Sequence, residues 1–232
     1  MVTPKSVRLS LPVDPRPRID VGPPFRRLNS GWLALDFVNT VPGWLPSAER
    51  RAGRDWGDQI ADERLLTYDD LLLWSQLAGV LDEHTARTLR RAAETHAAAA
   101  QMVVRRAHSL RAALFRLFRA AAGGWAPPAE DLDTLNGEQK RLRSGETLVH
   151  SPGAFQLQWR GSAGELHAVL WPPLRSALAL LTQPMMTARL GQCGGAGCGW
   201  LFLDVGRGRA RQWCDIRDCG NLAKVRAFRS RQ

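Results

Sequence analysis

Cysteine is absent from the first 192 residues of this 232-residue chain. That excludes a disulfide framework for most of the protein. No stretch of about 18 apolar residues occurs, so no segment reads as a membrane span. The start, Met1–Leu11, carries Lys5 and Arg8 with no continuous apolar core behind them. It does not read as a secretory signal, and the default compartment is the cytoplasm. Catalytic patterns are missing too: no nucleophile elbow, no phosphate-cradling glycine loop with a lysine, no His-Glu-x-x-His. His84, His96, His108, His150 and His167 are scattered. No acid–base or nucleophile constellation stands out, and an enzyme is not expected.

Acidic residues are in the minority, and the imbalance is local. The net charge is +10. Residues 1–27 hold six Lys/Arg against two Asp, and residues 187–232 hold nine against three. The middle, 28–186, balances 17 against 17. Two basic ends around a neutral middle suit a polyanion such as nucleic acid. The plain alternative is the solvated surface of an arginine-rich protein.

All four cysteines fall between Cys193 and Cys219. Cys193/Cys198 and Cys214/Cys219 each enclose four residues, and fifteen separate the pairs. Two short loops joined by a long one match the spacing of a structural zinc site with a tetrahedral Cys₄ shell. Two disulfides closing four-residue loops would constrain little. An iron–sulfur centre takes the same ligands, and the spacing alone does not exclude it.

Read in order, residues 1–27 contain six prolines, a density that favours an extended, disordered arm. Gly31–Thr40 has apolar spacing that fits either helix or strand. Its Asp36, Asn39 and Thr40 are polar groups in an apolar setting. They suit a hydrogen-bonded network or a small-molecule pocket. Thr67 with Asp70 and then Asp82 mark two helix starts. Residues 97–121 form a strong amphipathic helix whose arginines, Arg105, Arg106, Arg111, Arg116 and Arg119, read as a solvated face. Pro127-Pro128 opens another helix. Residues 146–159 alternate around Ser151-Pro152-Gly153, a hairpin signal, with Leu166–Leu170 as a candidate third strand. Pro172-Pro173 opens a further helix. The expected class is α+β, with a helix-rich N-terminal domain (28–186) bearing a small antiparallel sheet. A small C-terminal finger (187–232) of short strands and a terminal helix follows, and residues 1–27 form the arm.

Two stretches together resemble the CGNR zinc-finger family, whose members join this finger to a helix-rich ABATE domain. The first is Leu35-Asp36-Phe37-Val38-Asn39-Thr40. The second comprises the four cysteines with Trp200-Leu201-Phe202-Leu203-Asp204, Arg211-Gln212-Trp213-Cys214 and Cys219-Gly220-Asn221-Leu222-Ala223-Lys224. The resemblance covers nearly the whole chain from Leu28. It implies a stress-related transcription regulator with one structural zinc ion on Cys193, Cys198, Cys214 and Cys219. The chain departs from the family pattern at Gln212 and Leu222, where arginines are usual, and at Asp215-Ile216.

The expected nucleic-acid face comprises Arg207, Arg209, Arg211, Arg217, Lys224, Arg226, Arg229 and Arg231, contacting phosphates first. Leu222, Val225 and Phe228 form one helical stripe expected to dock on the finger or the large domain. The expected partners are DNA, a small-molecule effector of the N-terminal domain and a second copy of the chain, with no membrane. The competing function is a zinc-stabilised protein-interaction module that binds no DNA.

Overall fold

The computed structural model describes residues 6–11, 14–45, 59–60, 62–162 and 165–230. The element at its centre is the long helix α4, Ala97–Gly123. Around it lie α1 (Leu33–Val38), α2 (Tyr68–Leu77), α3 (Glu83–Thr95), α5 (Ala129–Leu142), α6 (Trp171–Leu181) and the short α7 (Pro184–Thr187). Local chemistry starts several of them. Thr67 and Asp70 form a reciprocal capping box on α2, and Asp82 caps α3 through the Thr85 N–H at 2.7 Å. The stripe Val103, Leu110, Leu114, Leu117 and Phe118 of α4 is buried. Trp44 stacks on Phe115 with ring centroids 4.0 Å apart, and Phe37 tilts against Trp74 at 5.2 Å.

Of the five α4 arginines expected to form a solvated face, only Arg105 is exposed. Arg106 makes two hydrogen bonds, 2.9 and 2.8 Å, to Glu138 of α5. Arg116 pairs with Asp131 of the same helix at 2.8 and 2.5 Å. Arg111 is buried against Glu63 and reaches the Thr40 hydroxyl at 3.1 Å. Burial pushes the Glu63 carboxyl up, but Arg111 outweighs it and holds the group below its usual range. Bidentate guanidinium–carboxylate pairs tie helices together where a one-helix view sees only charge.

A three-stranded antiparallel sheet has the order β1-β7-β6, from β1 (Ser6–Ser10), β6 (Glu146–Ser151) and β7 (Ala154–Ser162). The hairpin forms as expected. The third strand, however, is β1 and not Leu166–Leu170, which is a 3-10 helix. Over its described residues, 6–11 and 14–27, the expected disordered arm is corrected by the same observation, and residues 1–5 and 12–13 lie outside them. Val7 and Leu9 alternate with Ser6, Arg8 and Ser10, pair with Gly161 and Trp159, and are 0% and 1% exposed. Farther along, β2 (Ile19–Gly22) and β3 (Arg26–Leu28) form a hairpin. Pro15 and Pro17 precede β2, and Pro23 and Pro24 occupy its turn. Proline density therefore marks strand ends and turns here, where no ladder N–H is needed. Two further pairs complete the fold: β4 (Trp44–Leu45) with β5 (Gln59–Ile60), and β8 (Leu190–Gln192) with β9 (Leu201–Leu203). The last helix is α8, Asn221–Arg229. Among the described residues no helix is long and apolar enough to cross a membrane.

Candidate metal centre and its mount

The first knuckle, Cys193 to Cys198, is the connection between β8 and β9. Cys193 donates its N–H to the Trp200 carbonyl (2.8 Å), and Cys198 donates to the Gly195 carbonyl (3.0 Å). Gly195 is there for space, because a Cβ on it would lie 2.9 Å from Cys219 Sγ. The second knuckle is a single π-helical turn, Ile216–Gly220, that carries Cys219 and runs straight into α8. Asp215 opens that turn by accepting the Arg217 N–H at 2.8 Å.

The four sulfurs lie within 4.8 Å of one another. Cys214 Sγ is 3.7 Å from both Cys198 Sγ and Cys219 Sγ. A tetrahedron with Zn–S bonds of about 2.3 Å has sulfur–sulfur edges of about 3.8 Å. Disulfide sulfurs would stand about 2.05 Å apart, so the two-disulfide alternative is excluded. The compact set fits one ion, not a ring around a multi-iron cluster. Hydrogen bonds from Cys198 and Cys214 hold the Cys193 thiol far below its ordinary range. Donation to Cys193 pushes Cys198 and Cys214 up, and burial pushes Cys219 up. The set favours one thiolate by itself. A dication is what allows four. The centre is a Cys₄ site for one zinc ion.

A mount surrounds the centre, and much of it comes from the N-terminal half. Asn39, which caps the end of α1, faces Leu201 of β9 in both directions. Its amide donates to the Leu201 carbonyl (2.8 Å), and its Oδ1 accepts the Leu201 N–H (3.0 Å). The Leu203 N–H donates to the Ser30 carbonyl at 2.7 Å. Trp44 N–H donates to the Cys198 carbonyl, and the Trp200 indole donates to the Val41 carbonyl, both at 2.8 Å. The Asn29 amide donates to the Cys214 carbonyl at 3.0 Å. Gly43 approaches so closely that a Cβ there would overlap the Gly197 carbonyl.

Asp36, Asn39 and Thr40, which suited either a hydrogen-bonded network or a ligand pocket, are 4%, 5% and 2% exposed and engaged in hydrogen bonds. Asp36 accepts the Ser30 N–H at 3.0 Å, and Thr40 donates to the Phe37 carbonyl at 2.8 Å. They form the structural network that seats the finger. Burial pushes the Asp36 carboxyl up to about 6.

The predicted basic face divides. Arg211 turns inward. It donates to the carbonyls of Cys214 (2.6 Å), Asn29 (2.9 Å), Trp213 (3.1 Å) and Leu203 (3.3 Å), and its guanidinium lies 4.3 Å from the Phe202 ring centroid. With four of its five N–H donors used inside, Arg211 serves as a strut of the finger. Arg207, Arg209, Lys224, Arg226 and Arg229 are exposed. Arg217 is exposed and lies 3.8 Å from both Asp20 and Asp215. Arg231 lies outside the described residues. The stripe expected to dock does not: Leu222, Val225 and Phe228 are 55%, 40% and 65% exposed. Alanines sit on the opposite side of α8, and no residue of that helix is buried.

Sequence reasoning missed Arg18 and Arg27. Both pair with Asp215, whose side chain is 1% exposed, and Arg27 also pairs with Asp218. Burial pushes the Asp215 carboxyl up, but the Arg217 N–H and the two arm arginines outweigh it and hold the group down. The available signal was a carboxylate next to a metal ligand in a basic tail, which needs a cation from elsewhere in the chain.

Fold and site together define a class: a Cys₄ zinc finger seated on a helix-rich domain. A family model described as "Putative stress-induced transcription regulator", ABATE, matches residues 31–184, and the CGNR zinc finger matches 189–232. The chain belongs to the ABATE family and ends in a CGNR zinc finger. No match was found among curated proteins.

Proposed function

We propose that this zinc protein is a non-enzymatic, cytoplasmic transcription regulator. In this reading α8 and the Arg207–Arg209 loop bind duplex DNA, and the N-terminal domain is the platform that holds them. One observation carries the reading. Lys224, Arg226 and Arg229 are exposed on a helix without a single acidic residue, and that helix is continuous with the turn that carries a zinc ligand. Cations on a rigid element track phosphates with little ordering cost. Gln212 and Leu222 leave the finger two charges short of the family pattern, so binding is weak at physiological salt. An effector of the N-terminal domain would not enter at Asp36, Asn39 and Thr40. The seam between domains has room instead, in a cleft of about 470 Å³ lined by Arg18, Asn29, Trp213 and Asp215 among others.

Fluorescence anisotropy with a random duplex, at several salt concentrations, tests the reading. Each of Arg226→Ala and Arg229→Ala should lower the slope of log affinity against log salt by about 0.9. Arg18→Ala, which touches only the seam, should leave the slope alone. Tail variants with an unchanged slope would remove α8 from the interface. The exposed Leu222, Val225 and Phe228 support a second reading, a protein-interaction module. Absence of any salt-dependent duplex binding by the zinc-loaded protein would favour it.

A further inference from the structure

The β6–β7 hairpin runs past the core it belongs to. Pairing sets Glu146 opposite Trp159, Leu148 opposite Leu157 and His150 opposite Phe155, so these six share one face. At the base of that face Trp159 is fully buried. At the far end Leu148 is 64% and Phe155 72% exposed, with the His150 ring 4.9 Å from Phe155. The apolar face that covers the core thus continues into solvent. β6 is also an outer strand of its sheet, and no strand among the described residues pairs with its free edge. That edge, Glu146–Ser151, has one charge, Glu146 at its first position, held inward by Arg175, and none of the other usual protections. It contains no lysine and no proline, and its register with β7 runs without a bulge.

Charge indicates what covers it. Residues 147–159 contain no Asp, Glu, Lys or Arg, in a chain of net charge +10. Two copies meeting through α8 would set arginine against arginine. Two copies meeting at the hairpin bring no like charges together. An antiparallel edge is self-complementary about a two-fold axis, since each residue i that meets j is met in return. We propose that β6 is a dimer edge. Two copies of the chain pair β6 with β6, the sheets join into one of six strands, and Leu148 and Phe155 of both copies close over a common apolar face. Such a particle presents two fingers, one on each side of the axis.

The test uses the full-length, zinc-loaded chain in sedimentation velocity and light scattering over a concentration series. A reversible monomer–dimer equilibrium is expected. Phe155→Glu should weaken it on the order of 100-fold, because each copy carries its own carboxylate into the contact. Thr147→Lys, at an exposed edge position on the other face, should weaken it by edge pairing alone. Both should keep the thermal midpoint of the dilute wild-type protein, which separates dissociation from misfolding. Phe228→Glu on α8 should leave the dimer intact. A monomer at every concentration would overturn the proposal. So would a dimer indifferent to both hairpin variants, or one broken by Phe228→Glu instead. None of these outcomes depends on whether DNA is bound.

Discussion

The two ends of this chain have the same charge character and opposite fates. Each is rich in arginine and poor in acid, and each invites the same reading as an arm for polyanions. The N-terminal end is absorbed into the fold. Val7, Leu9 and Phe25 enter the core, and Arg18 and Arg27 spend their charge on Asp215 and Asp218 beside the metal. The C-terminal end, past Cys219, stays outside, with its apolar residues and its cations both in water. The difference lies in partners. The arm has alternating apolar residues that a sheet edge can take, and carboxylates waiting at the seam. α8 continues from the turn that carries Cys219, and none of its residues is buried. Net charge by segment therefore locates basic residues without saying which remain available.

The widest test of that contrast is a pair of single substitutions. Leu9→Ala removes a fully buried side chain opposite Trp159 and should cost about 2–5 kcal/mol in urea unfolding. Phe228→Ala removes a larger side chain from the tail and should stay within about 0.5 kcal/mol. If both proved neutral, the arm would not belong to the core.

A pH series sharpens the role of the arm in the seam. Asp36 is pushed up to about 6, chiefly by burial, and two arm residues act on it, Arg16 lowering and Asp14 raising. Asp14 is itself raised by burial. A carboxyl raised in the folded state binds more protons there than in the unfolded chain. Its contribution is therefore most favourable below about pH 4 and is lost as pH rises towards 6. For Asp36 the loss approaches about 3 kcal/mol. Asp36→Asn should erase that share of the slope, so the variant gains on wild type between pH 4 and 7. Parallel stability curves would show that Asp36 does not titrate in this window.

What was legible in the sequence was local. The cysteine pairs, the Thr67–Asp70 box, the Asp82 cap and the 146–159 hairpin each depend on residues a few positions apart. The arm strand, the inward turn of Arg211 and the pairing of Arg27 with Asp215 each depend on residues more than 150 positions away in chain or on a strand edge supplied by another segment. Asn29 and Arg211, for instance, meet across 182 residues. The same holds for α1. Its period left helix and strand open, and its polar residues suited a pocket as well as a seam. Only β9 lying against it decides the matter, through bonds that no local pattern encodes.

Asn39 is where the two halves can be separated most cleanly. It makes the reciprocal pair with Leu201 that a neighbouring strand would otherwise make, and it does so from the end of a helix. Asn39→Ala leaves the Leu201 N–H and carbonyl without those partners in a buried place, at a cost of about 1–3 kcal/mol. Leu201 lies three residues beyond Cys198, on the strand that fixes the first knuckle. The cost should therefore fall on the finger before it reaches the large domain. The measurement is the rate of zinc transfer to a colorimetric chelator. Faster release from Asn39→Ala, with the unfolding of the helical domain little changed, means that the platform holds the metal centre closed. An unchanged release rate with a destabilised helical domain would mean that zinc alone holds the finger and that α1 merely rests against it. The mount would then follow from the finger's fold and contribute nothing to it.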